Sequence, residues 1–245
     1  MQKTSWRAWL VVPLLAAVAC GGDDDDGGGN PAPFDPAAPL PYEPAIPSDL
    51  GPEITNPLFP MPVGATWTME ATTEEGLEQI VVTVLEETRE VYGVTARVVR
   101  DTVTVDGDVV EDTWDWYAQD GDGNVWYVGE DTTEYENGEV VSHEGAWEWG
   151  MDDALPGVVM LGDPQVGDVY RQEFLAGEAE DYAEVVSVDE SLEVVGETRT
   201  GCLKTNDLSA LDPELNEFKY YCPGIGTVLV EEPDATEELI SYDIP

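Results

Sequence analysis

The chain is poor in positive charge, in histidine and in cysteine. Nine Lys and Arg face 53 Asp and Glu across 245 residues, for a net charge of −44 at pH 7. A field of that sign repels phosphate backbones and anionic headgroups, which excludes nucleic acid as a partner. The single histidine, His143, removes histidine-based zinc sites and leaves a Ser-His-Asp arrangement dependent on one residue. His143-Glu144 lacks the second His that a metalloprotease helix requires, and no G-x-S-x-G occurs. In its context, Val141 to Gly145, His143 reads as an exposed strand or turn residue.

Helical periodicity is also lacking. No segment carries a stripe of eleven or more residues at helical spacing, and the nearest, Glu178 to Val188, reads equally well as a strand. The longest apolar stretch, Ala8 to Ala19, would reach about 18 Å as a helix, well short of the roughly 30 Å hydrocarbon core. It follows Lys3 and Arg7 and ends at Cys20, the layout of an export signal. The ending Leu15-Ala16-Ala17-Val18-Ala19-Cys20-Gly21 resembles the lipobox read by lipoprotein signal peptidase, with Ala17 where Leu is usual. The expectation is a signal peptide over 1–19 and a lipid-anchored Cys20. The bilayer is then a partner through the acylated thiol, with several acyl chains making a stable anchor. Gly21, where an Asp would favour inner-membrane retention, directs the expectation to the outer membrane or cell surface, facing periplasm or exterior.

Residues 20–62 read as a tether. Asp23 to Asp26 sit among Gly21, Gly22 and Gly27 to Gly29, and prolines such as Pro31, Pro36, Pro41 and Pro47 favour extended chain without backbone donors. Residues 63–245 then read as one domain, with a 42% apolar content and 22 aromatics available for a core. Its grammar is short β-branched and aromatic runs: Ile80 to Leu85, Ala96 to Arg100, Thr102 to Asp106, Val109-Val110, Trp114 to Tyr117, Val125 to Val128, Thr132 to Tyr135 and Val140-Val141. Asp106-Gly107 and Asn137-Gly138 are hairpin signals. The expected fold class is all-β: a curved antiparallel meander of roughly ten to twelve strands, closed as a barrel, open as a half-barrel or folded as a sandwich, behind a disordered N-terminal tether.

The domain opens with Asn56-Pro57-Leu58-Phe59-Pro60-Met61-Pro62-Val63-Gly64-Ala65-Thr66-Trp67 and closes with Lys219-Tyr220-Tyr221-Cys222-Pro223-Gly224-Ile225-Gly226. These ends, with Asp115 to Asp120 and Gly129 to Thr132 between them, resemble a family of secreted bacterial β-rich lipoprotein domains that begin near "FPLxxGxxWxY" and end near "YYAPGVGLV". The resemblance covers most of residues 56 to 242. It implies a curved antiparallel sheet and an envelope location, and no assigned reaction or catalytic residue. Cys222 stands where that family usually has Ala, which points to a disulfide particular to this chain.

With Cys20 acylated, Cys202 and Cys222 remain as an even pair in an oxidising compartment. Placed opposite each other on a hairpin, they centre it at Asp212, in the turn-like Leu211-Asp212-Pro213-Glu214. Asp120, Asp122 and Asn124 have the spacing that starts a calcium loop, but Val125 replaces its Gly and Asp131 its closing Glu. Apart from that possible calcium, no cofactor is expected. A diffuse affinity of the acidic face for divalent cations is the alternative to a sharp site. Trp114, Trp116, Trp147 and Trp149 place pairs of indoles on one strand face, either as a sugar platform or as sheet packing. With 53 carboxylates, a pair suited to glycoside hydrolysis cannot be picked out by sequence. The functional expectation is a membrane-tethered, non-catalytic binding or structural protein, with a cation-binding surface protein and a carboxylate hydrolase as alternatives.

Overall fold

The computed structural model describes residues 30–31, 34–38, 41–212, 215–233 and 235–245. Cys20 and the expected signal segment lie outside the described residues. β1 (Thr66–Thr72), β2 (Leu77–Val91), β3 (Val94–Val105), β4 (Asp108–Gln119) and β5 (Val125–Glu136) form an antiparallel meander. Short β6 (Glu139–Ser142), β7 (Trp147–Glu148) and β8 (Leu155–Met160) all pair with β5. After β9 (Val169–Arg171) and β10 (Glu173–Phe174), the strands β11 (Asp181–Val194), β12 (Glu197–Ser209), β13 (Glu217–Cys222), β14 (Gly226–Glu231) and β15 (Thr236–Asp243) meander back to pair with β1. No helix occurs among the described residues.

The sheet curls until its two ends meet on one chain segment. Tyr170 and Arg171 of β9 pair with β11, the Gln172 N–H donates to the Asp181 carbonyl at 2.8 Å, and then Glu173 and Phe174 of β10 pair with β8. A strand that changes partner at one residue joins the first edge to the last, and the result is a nearly closed antiparallel barrel. Gly157 on β8 makes the seam possible, because a Cβ there would collide with the backbone of Arg171 and Gln172.

The two hairpin signals adopt the conformation they require: Asp106 and Gly107 have φ of 52° and 91°, Asn137 and Gly138 53° and 79°. Two further turns use bulky residues in the same left-handed region, Tyr92 (φ 47°) before Gly93 and Val195 (φ 48°) before Gly196. Cys202 and Cys222, each next to a member of the Leu203–Tyr221 pair of β12 and β13, are joined by a disulfide with Cα atoms 4.2 Å apart.

The sequence places the domain's start at Val63; the structure places it earlier. Leu50, Leu58, Phe59 and Met61 pack against the barrel core, and Ile54 is buried within it. Asn56 is buried, donating through Nδ2 to the Gly123 and Leu161 carbonyls at 2.9 Å and accepting the Leu58 N–H. The prolines fix an extended chain, and the apolar residues between them anchor it. Further upstream, Phe34 and Tyr42 stand around the buried Arg171, whose guanidinium lies 4.1 Å and 5.4 Å from their ring centroids.

Candidate ligand-binding site

Inside the barrel is a cavity of about 480 Å³, a size typical of small-molecule sites. One end is stoppered by the residues that open and close the domain. Gly224 N–H donates to the Pro57 carbonyl at 2.7 Å, Trp67 Nε1 donates to the Ile225 carbonyl at 2.7 Å, and Phe59 sits edge-on to Tyr117 with centroids 5.5 Å apart. Near that end the lining is apolar and aromatic: Trp67, Met69, Val82, Val99, Tyr117 and Tyr221.

Toward the other end the strands change character while keeping their parity. On β3 the inward series runs Val99, Asp101, Val103; on β4 it runs Asp115, Tyr117; on β13 it runs Glu217, Lys219, Tyr221. Glu130, Glu173, Asp181 and Glu237 face in from β5, β10, β11 and β15. Among the described lining residues, seven carboxylates therefore face one ammonium. Lys219 Nζ is itself occupied, 3.1 Å from Glu217 Oε1 and 3.2 Å from Asp207 Oδ2.

Removing so many carboxylates from water favours their neutral forms. Burial, then the neighbouring Asp115, pushes Asp101 far above the usual carboxylate range. Burial raises Asp115 to about 6, against the hydrogen bond from Tyr127 that lowers it. Glu130, directly opposite Asp115 in the β4–β5 pairing, is pushed well up by burial and then by Glu173. Burial with Asp181 nearby takes Glu173 to about 8, although Trp147 Nε1 donates to its Oε2 at 3.0 Å. Burial brings Asp181 to about 6 and Glu237 to about 7. For Lys219 burial opposes the charge, but Glu217 and Asp207 outweigh it and hold the ammonium well above the ordinary lysine range. Asp101 Oδ1 is sealed from solvent and has no hydrogen-bond partner among the described residues.

The residues singled out by sequence lie elsewhere or do other work. Asp120, expected to begin a calcium loop, turns both carboxylate oxygens onto donors: Oδ1 accepts the Asp122 and Asn124 N–H groups, Oδ2 accepts Asn124 Nδ2 and Trp126 Nε1. Asn124 Oδ1 accepts the Gly162 N–H. The three residues build a turn, with these oxygens committed to N–H groups instead of presented to an ion. Among the described residues no group of three or more His, Cys, Asp or Glu side chains is placed to hold a metal. The tryptophans pack into the sheet, with Trp116 and Trp147 both beside Gly129. Trp116, Trp147 and Trp149 are buried and Trp114 half-buried. Trp116 packs under Arg89, whose guanidinium lies 3.8 Å from its ring centroid, and Trp149 packs against Tyr92 with centroids 5.0 Å apart. His143 is exposed, with Nδ1 2.9 Å from the Thr132 carbonyl oxygen.

No protein-family model matches the chain, and no curated protein matches it. Among solved structures, the barrel is similar to a candidate lipoprotein of Parabacteroides distasonis, at 14% identity and a TM-score of 0.42, over 76% of this chain and 98% of that one. At that likeness no residue role transfers.

Proposed function

We propose that the chain is a lipid-anchored, non-catalytic protein of the bacterial cell envelope whose barrel interior binds a small molecule. The cavity carries the binding half of this reading: a stoppered, aromatic-lined chamber of about 480 Å³ with charged groups converging from seven strands. The anchoring half is supported by Leu15 to Gly21 and by the lipid chemistry available to Cys20. On this reading residues 1–19 leave as the signal peptide and the acidic, Gly-rich chain after Cys20 serves as the leash, at the outer membrane or cell surface.

Expression in a two-membrane bacterium with labelled palmitate tests the anchor. The full chain takes up label and sediments with membranes, and Cys20→Ser loses both properties; label retained on the Cys20→Ser chain, or an unlabelled cytosolic product, refutes it. Native mass spectrometry of the same purified protein tests the cavity: a small molecule that copurifies and is lost on Asp101→Asn supports it, and an identical spectrum for both chains counts against it.

A carboxylate hydrolase is the second reading, favoured by Asp115 and Glu130 standing opposite each other inside the barrel, with Glu173 protonated near neutral pH as a proton donor. It requires turnover that Glu173→Gln abolishes while the thermal melt is retained.

A further inference from the structure

We propose that the chamber is built for a small organic cation with an apolar body, seated with its charge among Asp101, Asp115 and Glu237 and its body against Trp67, Met69 and Val99. This rests on the interior being a ligand site, as argued above, and adds the ligand's charge and shape.

Charge balance decides against an anion. The one ammonium among the described lining residues, Lys219, is already paired with Glu217 and Asp207, so the other lining carboxylates have no ion-pair contact among the described residues. Leaving a carboxylate oxygen buried without a partner costs free energy, and Asp101 Oδ1 is in that state. An ammonium group or its equivalent donates to such an oxygen and supplies the missing charge. A bare metal ion fits less well, because these carboxylates come from separate walls and no three of the described acidic side chains gather to metal geometry. The apolar half of the lining, with Trp67, Tyr117 and Tyr127, suits a body that carries carbon and favours cations on aromatic faces.

Binding of such a cation is coupled to proton release. The groups that face the charge are Asp101 on β3, Glu111, Asp115 and Tyr117 on β4, Tyr127 and Glu130 on β5, and Glu173 on β10. From the other side come Asp181 on β11, Asp207 on β12, Glu217, Lys219 and Tyr221 on β13, Glu237 on β15, and Glu78 on β2 beside Glu237. Without the cation, burial keeps Asp101, Glu130 and Glu173 protonated at neutral pH. A cation restores their ionised form, so protons leave as it enters and affinity rises as pH rises through the window from about 6 to about 8 set by Asp115, Asp181, Glu237 and Glu173.

Three probes of nearly the same shape and different charge test this: phenethylammonium, 2-phenylethanol and phenylacetate, each titrated calorimetrically into the full chain in detergent micelles. Measurements at about pH 5.5 and about pH 7.5, in two buffers of different ionisation enthalpy, count the protons exchanged. The expected result is that the ammonium probe binds tightest, releases protons, and gains about tenfold or more in affinity at the higher pH. Asp101→Asn, which matches the shape of the neutral carboxyl that burial favours there but cannot ionise, weakens the ammonium by about tenfold, whereas Asp108→Asn on the exposed hairpin leaves it unchanged. Equal or tighter binding of the alcohol or the carboxylate overturns the cation assignment and leaves the interior a ligand site. Silence from all three overturns both.

Discussion

Inside the barrel the Tyr127 hydroxyl donates a 2.6 Å hydrogen bond to Asp115 Oδ1, tying β5 to the carboxylate that β4 points inward. Tyr127 in turn stacks on Tyr117 with centroids 4.8 Å apart and meets Trp147 edge-on at 5.4 Å. These two contacts fix the ring. Tyr127→Phe removes the interaction that lowers the Asp115 carboxyl, so Asp115 moves up from about 6. Above neutral pH the variant loses about 2 kcal/mol of stability, the size of a hydrogen bond to a charged group. At acid pH, where Asp115 is protonated in both proteins, the loss is smaller. Melting curves at the two pH values check this.

Without ligand, the interior carboxyls stabilise the barrel increasingly as pH falls from about 8. Asp115, Asp181, Glu173 and Glu237 are all raised in the folded state, chiefly by burial, so the folded chain binds more protons than the unfolded one between the two sets of values. Their contribution is fully present below about pH 4, the range in which unfolded carboxyls titrate, and is lost as pH rises through about 6 to 8. A denaturant midpoint that falls steadily from about pH 5 to about pH 8 is expected; a midpoint that rises over that range contradicts the protonated interior.

Val195 has φ of 48° in the turn between β11 and β12, a β-branched residue in a region that glycine and asparagine favour, and its side chain is half exposed. Little packing is lost on replacing it. Val195→Asn therefore stabilises the barrel by about 1 kcal/mol, read as a raised denaturant midpoint with unchanged slope.

Reduction of the Cys202–Cys222 disulfide releases a loop spanning 20 residues. The chain-entropy cost corresponds to about 3 kcal/mol. The double variant Cys202→Ala/Cys222→Ala shows the same loss without reductant and ceases to respond to it, which separates the disulfide from any effect at Cys20.

The hairpins were legible because turn chemistry is local. Asp106-Gly107 and Asn137-Gly138 need no knowledge of the rest of the chain, and the β12–β13 register follows from two cysteines and a turn midway between them. The turns at Tyr92 and Val195 were missed because neither residue type favours a left-handed backbone; only the following glycine carried the signal. Closure was hidden for a different reason. Pairing of β1 with β15 and the partner change at Gln172 join residues far apart in sequence, and period-two alternation contains no such information. Asp101 is the instructive case. Read as a charged break, it divides Ala96 to Arg100 from Thr102 to Asp106, yet β3 runs through it, and its parity with Val99 and Val103 sends the carboxylate inward. An acid in phase with core valines was the available sign of a polar interior. The stretch 41–62 was misjudged because proline spacing outweighed the few apolar residues that pack: Leu50, Ile54, Leu58 and Phe59.

The protonated interior can be observed residue by residue by following the carboxyl carbon resonances of labelled protein with pH, with Asp115→Asn and Glu173→Gln used for assignment. Two resonances titrating at about 6 and about 8, each missing from its own variant, are expected for the empty barrel. Carboxyls that all titrate near the ordinary value of about 4 would show a water-filled, fully ionised chamber and contradict it.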